Sequence, residues 1–373
     1  MLDFSIYRDQ FVSAEMGKIW SEDNTVSSWL QVEQALAACQ AEMGIIDPEV
    51  SEKLQSLKAS DLDTACLQDD MALVGRPIVG LVKQLRAAVG TPQAASVHFG
   101  STTQDIMDTA MVLQMHRGLL LVDAELDRLL SHIEQFGDAF GATEIIGRTN
   151  GQHAVEMTLG AKLDVWKSEL KRRRDCLKDA AGRGLNVQCG GPVGDLRAFP
   201  ADQGRQLKQS LAAALDLHVA EPHWQNARDG VGEIVAALGM LCGSLCKIAH
   251  NINLLSSSEI GELFEGYEAG KGSSSSMAHK RNQRGSEFME AIARLGRQQS
   301  AAIQETNMHQ HERSGGVWIS EWLIVPDVFK YTSGALMWGN RLFSHLCVDT
   351  QRASAGVQQF RERVAPVKSN VGH

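Results

Sequence analysis

A chain of 373 residues, 43% hydrophobic and 22% charged, has ample material for a buried core and an ordinary globular composition. A formal charge of −9, with no basic stripe interleaved with aromatics, argues against nucleic acid as a partner. The seven cysteines are an odd, scattered set without a zinc pattern, and no basic-then-apolar leader opens the chain, so the expected setting is a reducing cytoplasm.

From residue 27 to about 44, Trp29, Val32, Leu36, Cys39 and Met43 recur at helical spacing. Asp47, Pro48 and Glu49 supply an N-cap, a first-turn proline and an acidic first turn for a second helix. Short helices continue to about residue 90, and an N-terminal helical domain is expected over 1–95. Longer helical patterns follow at 105–137, 154–182, 202–217, 230–255, 286–307 and 327–344. They predict a central long-helix bundle domain over 96–346. Period-2 runs of β-branched residues are absent, so the expected class is all-α.

The 230–255 segment is apolar nearly all round and interleaved with small residues such as Ala236, Gly239 and Gly243. Such a helix must be buried, in a large domain or an oligomer, and an oligomer is the expectation. Its most apolar part, 234–246, is shorter than the about 20 residues that span a bilayer, so no membrane is expected. Cys242 and Cys246 within it are i,i+4 core residues. The basic run at 171–174 suits a solvated or intersubunit face. The glycine-rich run at 188–194 is a loop between long helices, and 347–373 leaves room for a short helix and tail.

Three polar segments interrupt these patterns. The first is His98-Phe99-Gly100-Ser101-Thr102-Thr103-Gln104-Asp105. The second is Gly147-Arg148-Thr149-Asn150-Gly151-Gln152-His153-Ala154, taken here as leading into a helix that begins near 154. The third is Gly272 followed by four serines and then Met277-Ala278-His279-Lys280-Arg281-Asn282. Glycine and serine keep a backbone mobile, while a lysine and an asparagine at fixed offsets suit a carboxylate. Each of the first two could alone be a helix cap. No further metal-ligand cluster accompanies His309 and His311, and the Gly266–Gly272 run lacks the spacing of a phosphate loop.

In this order and spacing the three segments resemble the signature regions of the fumarase/aspartase superfamily, with Asp108-Thr109-Ala110 and His311-Glu312-Arg313 adding to the match. The resemblance spans about residues 10 to 350. It implies a long-helix bundle forming a homotetrameric core, with the C-terminal domain shortened or missing, no cofactor, and a small di- or tricarboxylate substrate. It also implies proton chemistry at a carbon next to a carboxylate, through an aci-carboxylate whose charge must be stabilised. By resemblance Ser274 is the mobile-loop base or proton donor, with Ser275 the neighbouring candidate. Lys280 and Asn282 would hold the reacting carboxylate, and Thr102 and Thr103 another. His98, Gln152 and Arg313 would line the same cleft.

The chain departs from the family pattern in places. Ser273 stands where glycine is usual, and Ala278 and Gln283 replace prolines. Asn150 replaces the histidine that many members use as general acid, leaving it a binding role. His153, on about the same face if the segment is helical, is the local replacement. The Gly, Val and Trp residues after Arg313 resemble the 3-carboxy-cis,cis-muconate cycloisomerase branch rather than adenylosuccinate lyases. Lactonisation needs no leaving-group acid, which accommodates Asn150. The alternatives are a C–N or C–X lyase on a substituted succinate, of adenylosuccinate or nitrosuccinate type, and a superfamily scaffold without activity.

Overall fold

The computed structural model describes residues 4–266, 272, 277 and 280–370. Two short helices, α1 (Arg8–Phe11) and α2 (Ala14–Ile19), lead into α3 (Glu22–Glu42), whose first turn is capped by Ser21 accepting from the Asn24 amide. The Asp47-Pro48 start signal opens α4 (Pro48–Ser56), with the Asp47 carboxylate accepting from the Glu49 amide. α5 (Thr64–Val74) ends on left-handed Gly75, and α6 (Pro77–Val89) begins with another first-turn proline.

The bundle is set by α7 (Thr103–Phe140), 38 residues long, which at 1.5 Å per residue extends about 57 Å. Beyond it a two-stranded antiparallel hairpin, β1 (Glu144–Thr149) and β2 (Gln152–Thr158), turns the chain into α8 (Leu159–Gly184). The 154–182 helix expected from sequence therefore starts later, at Leu159, because Thr158 caps it. The turn is Asn150-Gly151, both with positive φ (52° and 75°), the backbone a tight hairpin requires. The described chain is mostly helical, yet this hairpin and two smaller sheets qualify the all-α expectation.

After β3 (Asn186–Val187), α9 (Ala201–Leu215) and β4 (His218–Val219), which pairs parallel to β3, comes α10 (Asp229–Leu255). At 27 residues α10 is long and apolar enough to cross a membrane, which corrects the length argument drawn from residues 234–246. Two thirds of its most apolar window is nevertheless buried within the protein, where it packs against α8, α11 (Arg284–Ala301) and α12 (Gly315–Phe343). Cys242 lies fully buried against the Thr332 hydroxyl, so its role is packing. α12 starts twelve residues before the expected 327 and carries Pro326 inside it; packing on α7, α10 and α11 holds the helix across the missing amide donor.

β5 (Leu263–Glu265) pairs antiparallel with β6 (Leu346–Val348), and α13 (Thr350–Asn370) closes the chain by docking Val357 and Phe360 over Ile146 of the hairpin. The expected surface run at 171–174 is partly committed within the chain: Arg174 spans Asp123 and Asp127, and Arg173 reaches Ser244.

Candidate active site

At the N-terminal end of α7 the first polar segment forms a rigid corner. His98 takes a left-handed φ of 65°, and its Nδ1 sits 2.6 Å from Oε1 of Glu33 on α3. Burial disfavours the charged imidazole, but the Glu33 carboxylate overcomes this and raises the His98 pKa above its ordinary 6.5. Gly100 follows with φ 72° and the Phe199 ring where a side chain would stand. Thr102 precedes α7 and Thr103 opens it, and Thr103 shares a depression of about 400 Å³ with His98, Arg86 and Lys83.

The corner is held from beneath by Asp105. Its carboxylate accepts from the amides of Thr102, Gly190 and Gly191 and from the Gln188 side chain, tying the 188–194 loop to the start of α7. Burial pushes this carboxyl up while those four donors pull it down. One turn on, buried Arg228 bridges Asp108 (2.6 Å) and Glu321 (2.5 Å), and Trp318 donates to Asp108 at 2.8 Å. Gln104 donates its amide to Asp108 and to the Gln225 carbonyl, which leaves its oxygen to accept from Arg313 Nε at 2.6 Å. Every polar atom of Gln104 is spoken for, so Arg313 has a fixed address at this corner.

The other predicted residues lie at the opposite end of the bundle. Asn150, Gln152 and His153 are all exposed, around the hairpin turn and on β2. Because the segment is extended there, Asn150 and His153 do not share a helical face as the sequence suggested; His153 instead lies edge-on to Phe360, 6.1 Å away. Asn282 binds the Gly272 carbonyl through both backbone and side chain, just before α11, and Lys280 beside it is exposed. Arg148 ties the hairpin to Glu262 in the segment after α10, and the Glu265 carboxylate accepts from the amides of Gly285 and Ser286. Ser274 and Ser275 lie outside the described residues.

Thus the predicted residues fall into two groups separated by the length of α7: His98, Thr102, Thr103 and Arg313 at one end, Asn150, Gln152, His153, Lys280 and Asn282 at the other. Within one chain they do not share a cleft. Sequence reasoning missed Glu33, which sits 65 residues before its partner with no local signal. It also missed the Asn-Gly hairpin signal, which was present.

Long antiparallel helices with such polar corners at their ends define a class, and comparison with known proteins agrees. Residues 9–295 match the family described as Lyase, and the chain belongs to this family of the fumarase/aspartase superfamily. It is 34% identical over 346 residues to 3-carboxy-cis,cis-muconate cycloisomerase of Pseudomonas aeruginosa, covering 92% of this chain and 75% of that protein. It is also 34% identical over 329 residues to trans-aconitate decarboxylase 1 of Mycosarcoma maydis, covering 88% of this chain and 66% of that one. The crystal structure of the 3-carboxy-cis,cis-muconate lactonizing enzyme from Pseudomonas putida superimposes with a TM-score of 0.91 at 32% identity, over 98% of this chain and 84% of the other. The protein is an enzyme of this superfamily, whose homologues act on small carboxylates.

Proposed function

We propose that the protein is a cycloisomerase of the 3-carboxymuconate type, acting without a cofactor in the cytoplasm as a homotetramer. The carrying observation is the path of the chain after Arg313. Gly315 and Gly316 open α12 at once, and Trp318 is buried on Asp108, so this run offers glycine and tryptophan where a nucleotide phosphate would need donors.

The two-ended placement of the site residues supports assembly. Asn150, Gln152, His153 and Lys280 are exposed in a single chain, as residues completing a neighbour's cleft would be. Val165 on α8, Met240 and Leu254 on α10 and Leu295 on α11 are large exposed apolar residues on helices that pack together, an apolar surface suited to other copies.

In the proposed reaction a carboxylate oxygen of the substrate adds to the conjugated double bond. The C–O bond forms as the π electrons move onto the conjugated carboxylate, giving an aci-carboxylate. Lys280 and Asn282 of one copy and Thr102 and Thr103 of another supply the positive charge and hydroxyl donors. The Ser274 hydroxyl then delivers a proton to the carbon and regains it from solvent. His98, whose pKa Glu33 raises, lines the same depression as Thr103 and adds a donor there.

The test is ultraviolet turnover of 3-carboxy-cis,cis-muconate, run beside CO₂ release from trans-aconitate and fumarate release from succinyl adducts. Lactone formation by the first supports the reading. Efficient decarboxylation or elimination with no lactonisation replaces it.

A further inference from the structure

Arg76 precedes α6 at the His98 end of the molecule. Its guanidinium lies over Trp318 (5.2 Å) and Trp322 (5.6 Å), and among the described residues it donates to the neighbouring Gly75 carbonyl alone. Trp318 shares Asp108 with Gln104, and Gln104 holds Arg313. The Arg76 Nη2 also approaches Gly315, two residues past Arg313. Two guanidiniums therefore stand at one corner. Neither has a carboxylate partner among the described residues, in a protein where Arg148, Arg174, Arg183, Arg197 and Arg228 all do. Burial lowers the Arg313 pKa; Asp105 and Asp108 attract its charge without an ion pair, and the nearby Arg76 charge opposes it. Two guanidiniums at one corner, neither of them ion-paired, favour an anion as occupant.

We propose that Arg76 and Arg313 form a subsite for one carboxylate of the substrate, and that Arg76 selects substrates carrying a carboxylate beyond the two bound by Lys280–Asn282 and Thr102–Thr103. The fork of Arg76 is aimed by the two indole faces, which leave its outward N–H groups free for bidentate contact. The flanking depressions show why the site discriminates. On one side Ile78, Val79 and Val82 of α6 face His98 and Thr103. On the other, Pro77, Met107 and Trp322 line a cavity of about 530 Å³. Beside these apolar residues, which share their depressions with Lys83 and Arg86 on one side and Asp108 and Lys330 on the other, a carboxylate gains from the Arg76 charge what an uncharged substituent does not. A tricarboxylate is the substrate class this corner fits. The inference rests on the reading of the cleft as a polycarboxylate site, but not on the reaction performed there.

The test is calorimetric titration of the assembled protein with two unreactive probes, propane-1,2,3-tricarboxylate and succinate. Hydrogen bonds to charged groups make Arg76→Gln expected to weaken tricarboxylate binding roughly 10–100-fold and succinate binding under about 2-fold. Arg76→Lys keeps the charge, loses the fork and falls between. Thermal midpoints check folding, and if Arg76→Gln does not fold, the Lys variant carries the comparison. Equal weakening of both probes, no weakening of the tricarboxylate, or no tricarboxylate binding by the parent protein overturns the subsite. Failure to turn over 3-carboxymuconate with Arg76-dependent tricarboxylate binding intact would overturn only the assigned reaction.

Discussion

Glu33 and His98 show how a single buried carboxylate sets the working range of a corner. The His98 pKa is raised in the folded protein, so the imidazolium persists to higher pH than usual and is lost as pH rises through that value. Binding of an anionic substrate should weaken in the same window. In Glu33→Gln, burial acts largely unopposed and the break moves below 6.5. KM profiles from about pH 5 to about 9 test this; superimposable profiles for the two proteins would refute it. Ser274 makes a different prediction, since proton transfer contributes roughly 10²–10⁴-fold in rate. Ser274→Ala should lose about that much turnover with little change in melting temperature. Scanning Ser273, Ser275 and Ser276 alongside it shows whether another hydroxyl carries the proton.

Among elements, the joint between α7, α10 and α12 is the most exposed to damage by one substitution. Arg228 is fully buried between Asp108 and Glu321, and also lies over the Trp224 ring at 4.5 Å. Arg228→Met would leave two carboxylates buried without a counterion, at a cost of about 3–5 kcal/mol in urea unfolding; a loss below about 1 kcal/mol would show that water or rearrangement replaces the guanidinium. Little of this joint was legible beforehand. Arg228 stands 93 and 120 residues from its two carboxylate partners, and no local pattern pairs them. What could be read were features whose cause is local: the Asp47-Pro48 cap, the apolar face of α3 and the all-round apolarity of α10. The hairpin failed for an opposite reason. Its Asn-Gly turn is a local signal, but exposed Gln152, His153, Val155 and Glu156 give no alternating apolar face, so a helix pattern was extended over a strand. The helix expected over 327–344 begins earlier because tertiary packing carries α12 through Pro326, a residue that breaks an isolated helix.

For the whole molecule, the length of α7 is decisive. On the composite-site proposal, residues assigned to one substrate lie toward the two ends of a helix about 57 Å long, so an isolated copy should hold no complete site. Light scattering should find a tetramer, and an active monomer would defeat the composite arrangement. A sharper check mixes two inactive variants. Arg313→Ala damages one end and Lys280→Ala the other, so hybrids assembled from both should contain some sites with neither lesion. Recovery of turnover on co-refolding, where each parent alone is near background, is the expected result; its absence would place both residues in the same chain's site.

The same helix constrains how such a sequence can change. Side chains along its middle may be exchanged as long as packing is kept, but their number may not vary freely. Removing one residue turns everything beyond it by about 100° and draws it back about 1.5 Å. The hairpin would then present Asn150 and Gln152 to the wrong quarter of its surroundings. A seven-residue step is the shortest that nearly restores the phase, to within about 20°, and it lengthens or shortens the span by about 10 Å. Over this stretch, residue count is therefore held more tightly than residue identity.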